Sequence, residues 1–209
     1  MNTQQFYHNI ITEKSWQFLR EFKKNRNFIL IGGWAVFLYS RSLKSKDIDI
    51  IVDYNDLEKL KSEFDIFKNE RLKKYEIKHG EFDVDIYLPH YSDLGVDIEK
   101  IEEKAVSREG FSVPEIEILL MLKLYAWGSR RGSVKGQKDE LDIFSLAFLP
   151  EFNWQRYLDY TQIFHFENYN NFLIELIKKT KEIKELGINQ QKMAKIRKRI
   201  LALLNSAIE

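Results

Sequence analysis

The 209 residues, 44% hydrophobic and 14% aromatic with 9 Gly and 3 Pro, suffice for one substantial domain or two small ones and exclude a collagenous or disordered chain. The absence of cysteine excludes a disulfide framework, a thiolate metal site and a cysteine nucleophile. The formal net charge of +1, from 33 basic and 32 acidic side chains, points by itself to neither a nucleic-acid nor an acidic partner.

The N-terminus lacks a basic segment followed by an apolar one, and no apolar run approaches the roughly 20 residues that span a bilayer. A cytoplasmic protein without membrane contact is the expectation. From Thr3 to Lys24, Phe6, Ile10, Trp16, Phe18, Leu19 and Phe22 recur at helical intervals among charges, predicting a packing helix or two short ones. Phe28 to Ile31 is a short apolar strand running into Gly32-Gly33, and Trp34 to Tyr39 continues as a helix. Lys46 to Asp53 alternates as a strand, with Ile48, Ile50 and Val52 on one face and Asp47 and Asp49 on the other. Asn55 or Asp56 can cap a helix reaching about Phe67, with Leu57, Leu60 and Phe64 buried. Strands are expected at Lys74 to Lys78 and Phe82 to Leu88, about a His79-Gly80 turn. After a stretch of no clear period, Val113-Pro114 opens a helix at Glu115. Helical patterning then runs to the end, broken near Gly128 to Gly136, Pro150, His165 and Gly187. The expected architecture is α+β: a mixed sheet with flanking helices over residues 1–112, then a helical bundle over 113–209.

Residues two apart on a strand share a face, so Asp47 and Asp49 present adjacent carboxylates. Asp83 and Asp85 do the same on the second acidic strand. If the strands are neighbours, three or four carboxylates converge, and such repulsion is relieved by divalent cations. Hard oxygen ligands suit Mg²⁺ or Mn²⁺, and a pair of such ions supports in-line phosphoryl displacement. Gly32-Gly33, between a strand and a helix, is where backbone N–H groups and the helix dipole hold a phosphate. A pair of acidic edge strands with an ordinary glycine turn is the plainer alternative.

Gly32-Gly33, the thirteen residues before Asp47, the run Asp47-Ile48-Asp49-Ile50 and the later Val84-Asp85-Ile86 together resemble the nucleotidyltransferase superfamily typified by DNA polymerase β. The resemblance implies that Gly32 and Gly33 contact a nucleoside triphosphate, while Asp47, Asp49 and Asp85 hold two Mg²⁺ ions. Asp83 rivals Asp85 for the third position, and strand alternation does not separate them. Trp34, where the family commonly has a smaller or polar residue, implies an altered base pocket.

In the helical half, Lys123 lies within the apolar stripe of Ile116, Leu119, Leu120 and Trp127. An ammonium there snorkels to solvent, pairs with a buried carboxylate or meets phosphate in a cleft. Downstream, a helical wheel sets Asp139 at the edge of the apolar face beside Ile143 and Leu146, and Asp142 on the polar side with Lys138 and Ser145. Asp139 is the expected partner. Lys123-Leu124-Tyr125-Ala126, Arg130 and Lys138-Asp139-Glu140-Leu141-Asp142-Ile143 resemble the third and fourth motifs of AbiEii-type nucleotidyltransferases, a family that includes toxin components of abortive-infection and toxin–antitoxin systems. The resemblance implies catalytic or triphosphate-binding roles for Lys123 and Asp139. The implied nucleotide-binding set is then Gly32, Gly33, Trp34, Lys46, Lys123, Arg130 and Lys138.

His8, His79, His90 and His165 have no metal-ligand spacing. The aromatics Trp154, Tyr157, Tyr160, Phe164, Phe166 and Tyr169 read as helix-packing core, and Arg130, Arg131, Lys135 and Lys138 surround a Gly-Ser loop. Between Ile177 and Arg199, nine basic and two acidic residues give +7, which leaves −6 for the rest of the chain. Lys195, Arg197, Lys198 and Arg199 are expected RNA contacts through phosphate charge, a solvated helix face being the alternative. The expected function is transfer of a nucleoside monophosphate from an NTP to a hydroxyl acceptor, with a cognate toxin or antitoxin as partner. A protein or small-molecule acceptor, or a non-catalytic binding module, is the competing expectation.

Overall fold

The computed structural model describes residues 3–205, with side chains from 8 to 204; Phe6, expected on the first buried face, lies outside the described side chains. The chain forms two compact units that meet in sequence between Glu115 and Ile116.

In the first unit the leading helix is continuous, α1 Thr3–Lys23, followed by β1 Ile29–Ile31, α2 Gly32–Ser40 and β2 Ile48–Ile51. The next elements are α3 Tyr54–Glu63, β3 Ile66–Asn69, β4 Lys74–Lys78, β5 Asp83–Tyr87, α4 Ile98–Glu103, β6 Ala105–Arg108 and β7 Phe111–Pro114. The strands make one mixed sheet of order β3-β4-β5-β2-β1-β7-β6. β2 is central, antiparallel to β1 and parallel to β5.

Strand alternation divides the sheet chemically. Leu30, Ile48, Ile50, Val84 and Ile86 are wholly buried. The intervening Asp49, Asp83, Asp85 and Tyr87 are half-buried. Aromatic packing ties α1 to the sheet, with Phe18 against Phe82 and Phe22 against Phe28 at ring separations of 5.5 and 5.6 Å. Trp34 stacks obliquely on Trp16 at 4.9 Å and donates its indole N–H to Ser15 at 3.0 Å. A wholly buried indole needs such an acceptor.

Three sequence expectations are corrected. α3 is capped by Asp53, whose carboxylate accepts from the Asp56 amide at 2.7 Å, rather than by Asn55 or Asp56. It stops at Glu63 rather than about Phe67, and Ile66–Asn69 pairs as edge strand β3 with β4 from Ile66↔Ile77 to Asn69↔Lys74. Cross-strand pairing overrides a local helical period there. Pro114 ends β7, and the helix expected to open at Glu115 begins one residue later, at Ile116. α4, β6 and β7 occupy the stretch that showed no clear period.

The second unit is helical: α5 Ile116–Arg130, α6 Val134–Ala147, α7 Trp154–Ile163, α8 Glu167–Lys179 and α9 Gln190–Asn205, with a 3-10 turn at Lys184–Leu186. Tyr157 and Phe166 are fully buried, so the aromatic cluster is core as expected. The Tyr157 hydroxyl donates to Asn170 Oδ1 at 2.7 Å, and burial pushes its phenol pKa upward. Among the described residues no helix is long and apolar enough to cross a membrane.

Arg197 departs from its expected role as an RNA contact. Its guanidinium donates to the carbonyls of Ile177 and Thr180, at 3.0 and 2.6 Å, satisfying backbone acceptors at the end of α8. A cation there also complements the helix dipole. Arg197→Met is expected to lower stability in urea unfolding by about 1–3 kcal/mol. Lys198→Met, at an exposed position, is expected to stay within about 0.5 kcal/mol of wild type, and equal costs would remove the capping role.

Candidate active site

Asp49 is positioned by β2 and lies against the start of α2. Gly32 has φ +65, and a β-carbon placed on it would sit 2.0 Å from Asp49 Oδ2. Only glycine combines that left-handed backbone with so close an approach of the carboxylate. Ile31 provides no side-chain cap to α2, so the first-turn amides and the positive end of the dipole face the neighbourhood of Asp49 uncapped.

β5 brings the second pair. Asp49 and Asp85 are Cα partners across the parallel β2–β5 ladder, where neighbouring strands lie about 4.8 Å apart. Burial first, and then the charge of Asp49, push the Asp85 carboxyl up to about 6 against the pull of Lys74. Asp47 precedes β2 and accepts from the Asp83 amide at 3.3 Å, while Tyr87 donates to Asp49 Oδ1 at 3.4 Å.

The ambiguity between Asp83 and Asp85 takes a physical form. Asp83 pairs with Lys78 at 2.9 Å with its side chain 37% exposed. Asp85 is 15% exposed, in register with Asp49, and 2.5 Å from Lys74 Nζ. Lys74 also reaches Glu76 Oε1 at 3.0 Å. Glu76 accepts further from Lys78 at 2.9 Å and Asn69 at 3.1 Å. Burial alone would raise the Glu76 carboxyl; its bonds from Lys78, Lys74 and Asn69 outweigh that and hold it at about 2.

In the second unit, Lys123 neither snorkels nor reaches solvent. It is buried, with Nζ 2.7 Å from Asp142 Oδ2 and 3.3 Å from Asp139 Oδ1, and Arg130 Nε lies 3.2 Å from Asp139 Oδ2. The expected Asp139 is present, but Asp142, assigned to the polar side, is the nearer partner and is completely buried. The wheel fails for Asp142 because α6 is buried on every side from Asp142 to Ala147. Two carboxylates, one ammonium and one guanidinium form a charge-balanced hub. Arg131 stacks on Trp127 and Phe172 and pairs with Glu175.

A structure described as a candidate nucleotidyltransferase from H. pylori aligns over 99% of this chain and 97% of its own, at 16% identity and a TM-score of 0.54. The chain has the fold of that structure. JHP933 from Helicobacter pylori aligns over 100% of both chains at 18% identity with a TM-score of 0.48. The Megavirus polyadenylate synthase aligns over 68% of this chain and 31% of its own, at 15% identity and 0.43. No protein-family model and no curated protein sequence matches the chain.

Within this fold, Gly32, Gly33, Asp47, Asp49 and Asp85 are brought to one region around β1, β2 and β5. Their hard oxygen donors and unbalanced charge fit a divalent ion in chemistry. Their arrangement is incomplete, for among the described residues no three Asp, Glu or His groups are set to hold a metal. Trp34 departs from the nucleotide-binding expectation, because its ring is 0% exposed and offers no face to a base. Lys46 is exposed next to Asp47, and Lys138 is half-buried on α6. A groove of about 370 Å³ lined by Lys23, Asn27, Ile29, Val52, Asp53 and Asp56 includes none of Asp47, Asp49 and Asp85.

Lys74 and Glu76 are not singled out by sequence reading, although the alternation Lys74, Glu76, Lys78 opposite Asp83 and Asp85 marks a charged sheet face. Glu76 carries a pH signature. Its folded pKa of about 2 lies below the ordinary 4.5, so its stabilisation is complete above pH 4.5 and is lost as pH falls toward 2. Glu76→Gln is expected to cost about 2 kcal/mol at pH 7 and progressively less on acidification, measured by urea unfolding of both proteins across that range. A cost independent of pH would refute the assignment.

Proposed function

We propose that the chain is a divalent-metal-dependent nucleotidyltransferase that moves a nucleoside monophosphate from an NTP to a hydroxyl acceptor, releasing pyrophosphate. The observation that carries this reading is the in-register Asp49–Asp85 pair, with Asp49 packed on Gly32 at the uncapped start of α2. Carboxylates beside open amides suit a ligand that is an anion carrying its own cations. Mg²⁺ or Mn²⁺, held by Asp47, Asp49 and Asp85, would supply Lewis-acid stabilisation of the phosphoryl charge.

The remaining chemistry belongs to the chain. Gly32 lets the Asp49 carboxylate lie against the main chain at the start of α2, and Lys46 offers an exposed ammonium beside Asp47. The acceptor oxygen bonds to the α-phosphorus as the bond to pyrophosphate breaks. Asp85, in register with Asp49, is the carboxylate placed to take the acceptor's proton. Asp85 is favoured over Asp83, which Lys78 holds at the more exposed edge.

Lys123, Asp139, Arg130 and Lys138 are assigned to triphosphate binding or catalysis on their resemblance to the AbiEii-type motifs. The hub geometry supports a positioning role for Lys123 and Asp139, with Arg130 the more exposed cation. RNA is the favoured acceptor class, in keeping with a toxin–antitoxin or abortive-infection setting. The support is the exposed cations Lys192, Lys195, Lys198 and Arg199 on α9, from which Arg197 is withdrawn.

Incubation with labelled NTPs, Mg²⁺ and total RNA is expected to give a labelled product that Asp47→Ala/Asp49→Ala abolishes, by at least about a hundredfold for lost charge stabilisation. Equal label in the variant would refute the site. Neutralising Lys195, Lys198 and Arg199 is expected to lower RNA affinity and reduce the slope of log affinity against log salt by about 2–3. An unchanged slope would remove α9 from the acceptor contact.

A further inference from the structure

The carboxylate face holds five acids, Asp47, Asp49, Asp83, Asp85 and Glu76, and on β4 two cations, Lys74 and Lys78. The cations are not distributed evenly. Lys78 serves Asp83 and Glu76, at 2.9 Å to each, with its side chain 48% exposed. Lys74 is 11% exposed and bridges inward to Asp85 at 2.5 Å and Glu76 at 3.0 Å. A buried ammonium on Asp85 takes up one of its two carboxylate oxygens, Oδ2, and sets a positive charge where a divalent ion would have to approach.

We propose that Lys74 is the internal counter-ion of this site: its ammonium holds Asp85 in the absence of a divalent ion and gives Asp85 up to that ion by moving wholly onto Glu76. The inference rests on the reading of Asp85 as a metal ligand. Glu76 is built to receive the ammonium, because Lys78 and Asn69 anchor its carboxylate independently of Lys74. Glu76 and Asp85 are Cα partners on adjacent strands. The lysine, two residues from Glu76 on the same strand face, therefore exchanges acceptors by a side-chain shift without any change in the sheet. Burial makes the exchange obligatory, since a desolvated ammonium with no acceptor is costly. Lys74 is thus a positioning residue that competes with the metal for one carboxylate.

Mn²⁺ alone, titrated calorimetrically, tests this without reference to activity. Lys74→Gln is expected to bind Mn²⁺ about tenfold more tightly than wild type, about 1.4 kcal/mol. Lys78→Gln removes the same charge from the same strand face without touching Asp85, and is expected to tighten binding by only about twofold, as screened charge does. Glu76→Gln is expected to weaken binding severalfold, and to lose that effect in the Lys74→Gln background. Equal effects of Lys74→Gln and Lys78→Gln, or a Glu76→Gln penalty that persists without Lys74, would overturn the competition. Should Lys74→Gln fail to fold by circular dichroism, Glu76→Gln decides, and unchanged or tighter Mn²⁺ binding overturns the proposal. Asp49→Asn separates the two levels. If it abolishes binding, the metal reading stands whatever Lys74 does; if neither wild type nor any variant binds Mn²⁺, the metal reading itself falls and takes the competition with it.

Discussion

Two carboxylates placed side by side at the centre of a sheet are the constraint to which the first unit answers. Asp49 and Asp85 stand in register on β2 and β5, a pairing that like charges oppose. The surroundings meet that cost in three ways. The start of α2 turns its dipole toward Asp49, Lys74 takes up Asp85, and the hydrophobic residues on the alternate strand positions anchor both strands so that neither can slip. A slip of one residue would exchange the wholly buried Ile48, Ile50, Val84 and Ile86 with the acids. Register and repulsion therefore oppose one another, and the apolar side decides.

Much of this was legible because strand alternation and glycine chemistry are local. Asp47 and Asp49 share a face by period alone, and Gly32 announces a backbone that only glycine tolerates. The partnership of Asp49 with Asp85 needed the sheet order, which no local period encodes. For the same reason β3 read as the end of a helix, and β6 and β7 did not read at all. They are short strands, and pairing rather than alternation defines them. Lys74 escaped notice because its importance lies in what stands across the ladder from it.

The helical unit teaches the complementary lesson. A wheel assumes that one face of a helix is buried, and on that assumption Asp142 belongs outside. The later turns of α6 are enclosed all round, so polarity there reports a satisfied interior rather than a solvent face. Lys123 draws both carboxylates inward, and Arg130 completes the balance. The hub also shows why an apparent phosphate-binding lysine cannot be judged by charge alone: its ammonium is already committed. The basic α9 is similarly divided, with Arg197 serving the backbone of α8 while its neighbours remain in solvent.

The strand order β3-β4-β5-β2-β1-β7-β6 also has a kinetic meaning. β2 joins β1 early along the chain, but it meets β5 only after α3 and the β3–β4 hairpin have been bypassed. Non-local parallel pairing pays its loop entropy before any contact repays it. Asp49 and Asp85 are therefore joined only through that non-local pairing. Lys74 and Asp85, by contrast, share the antiparallel β4–β5 pair of consecutive strands. The strand that creates the electrostatic problem and the strand that answers it are thus neighbours in the chain as well as in the sheet, and their contact costs little loop entropy.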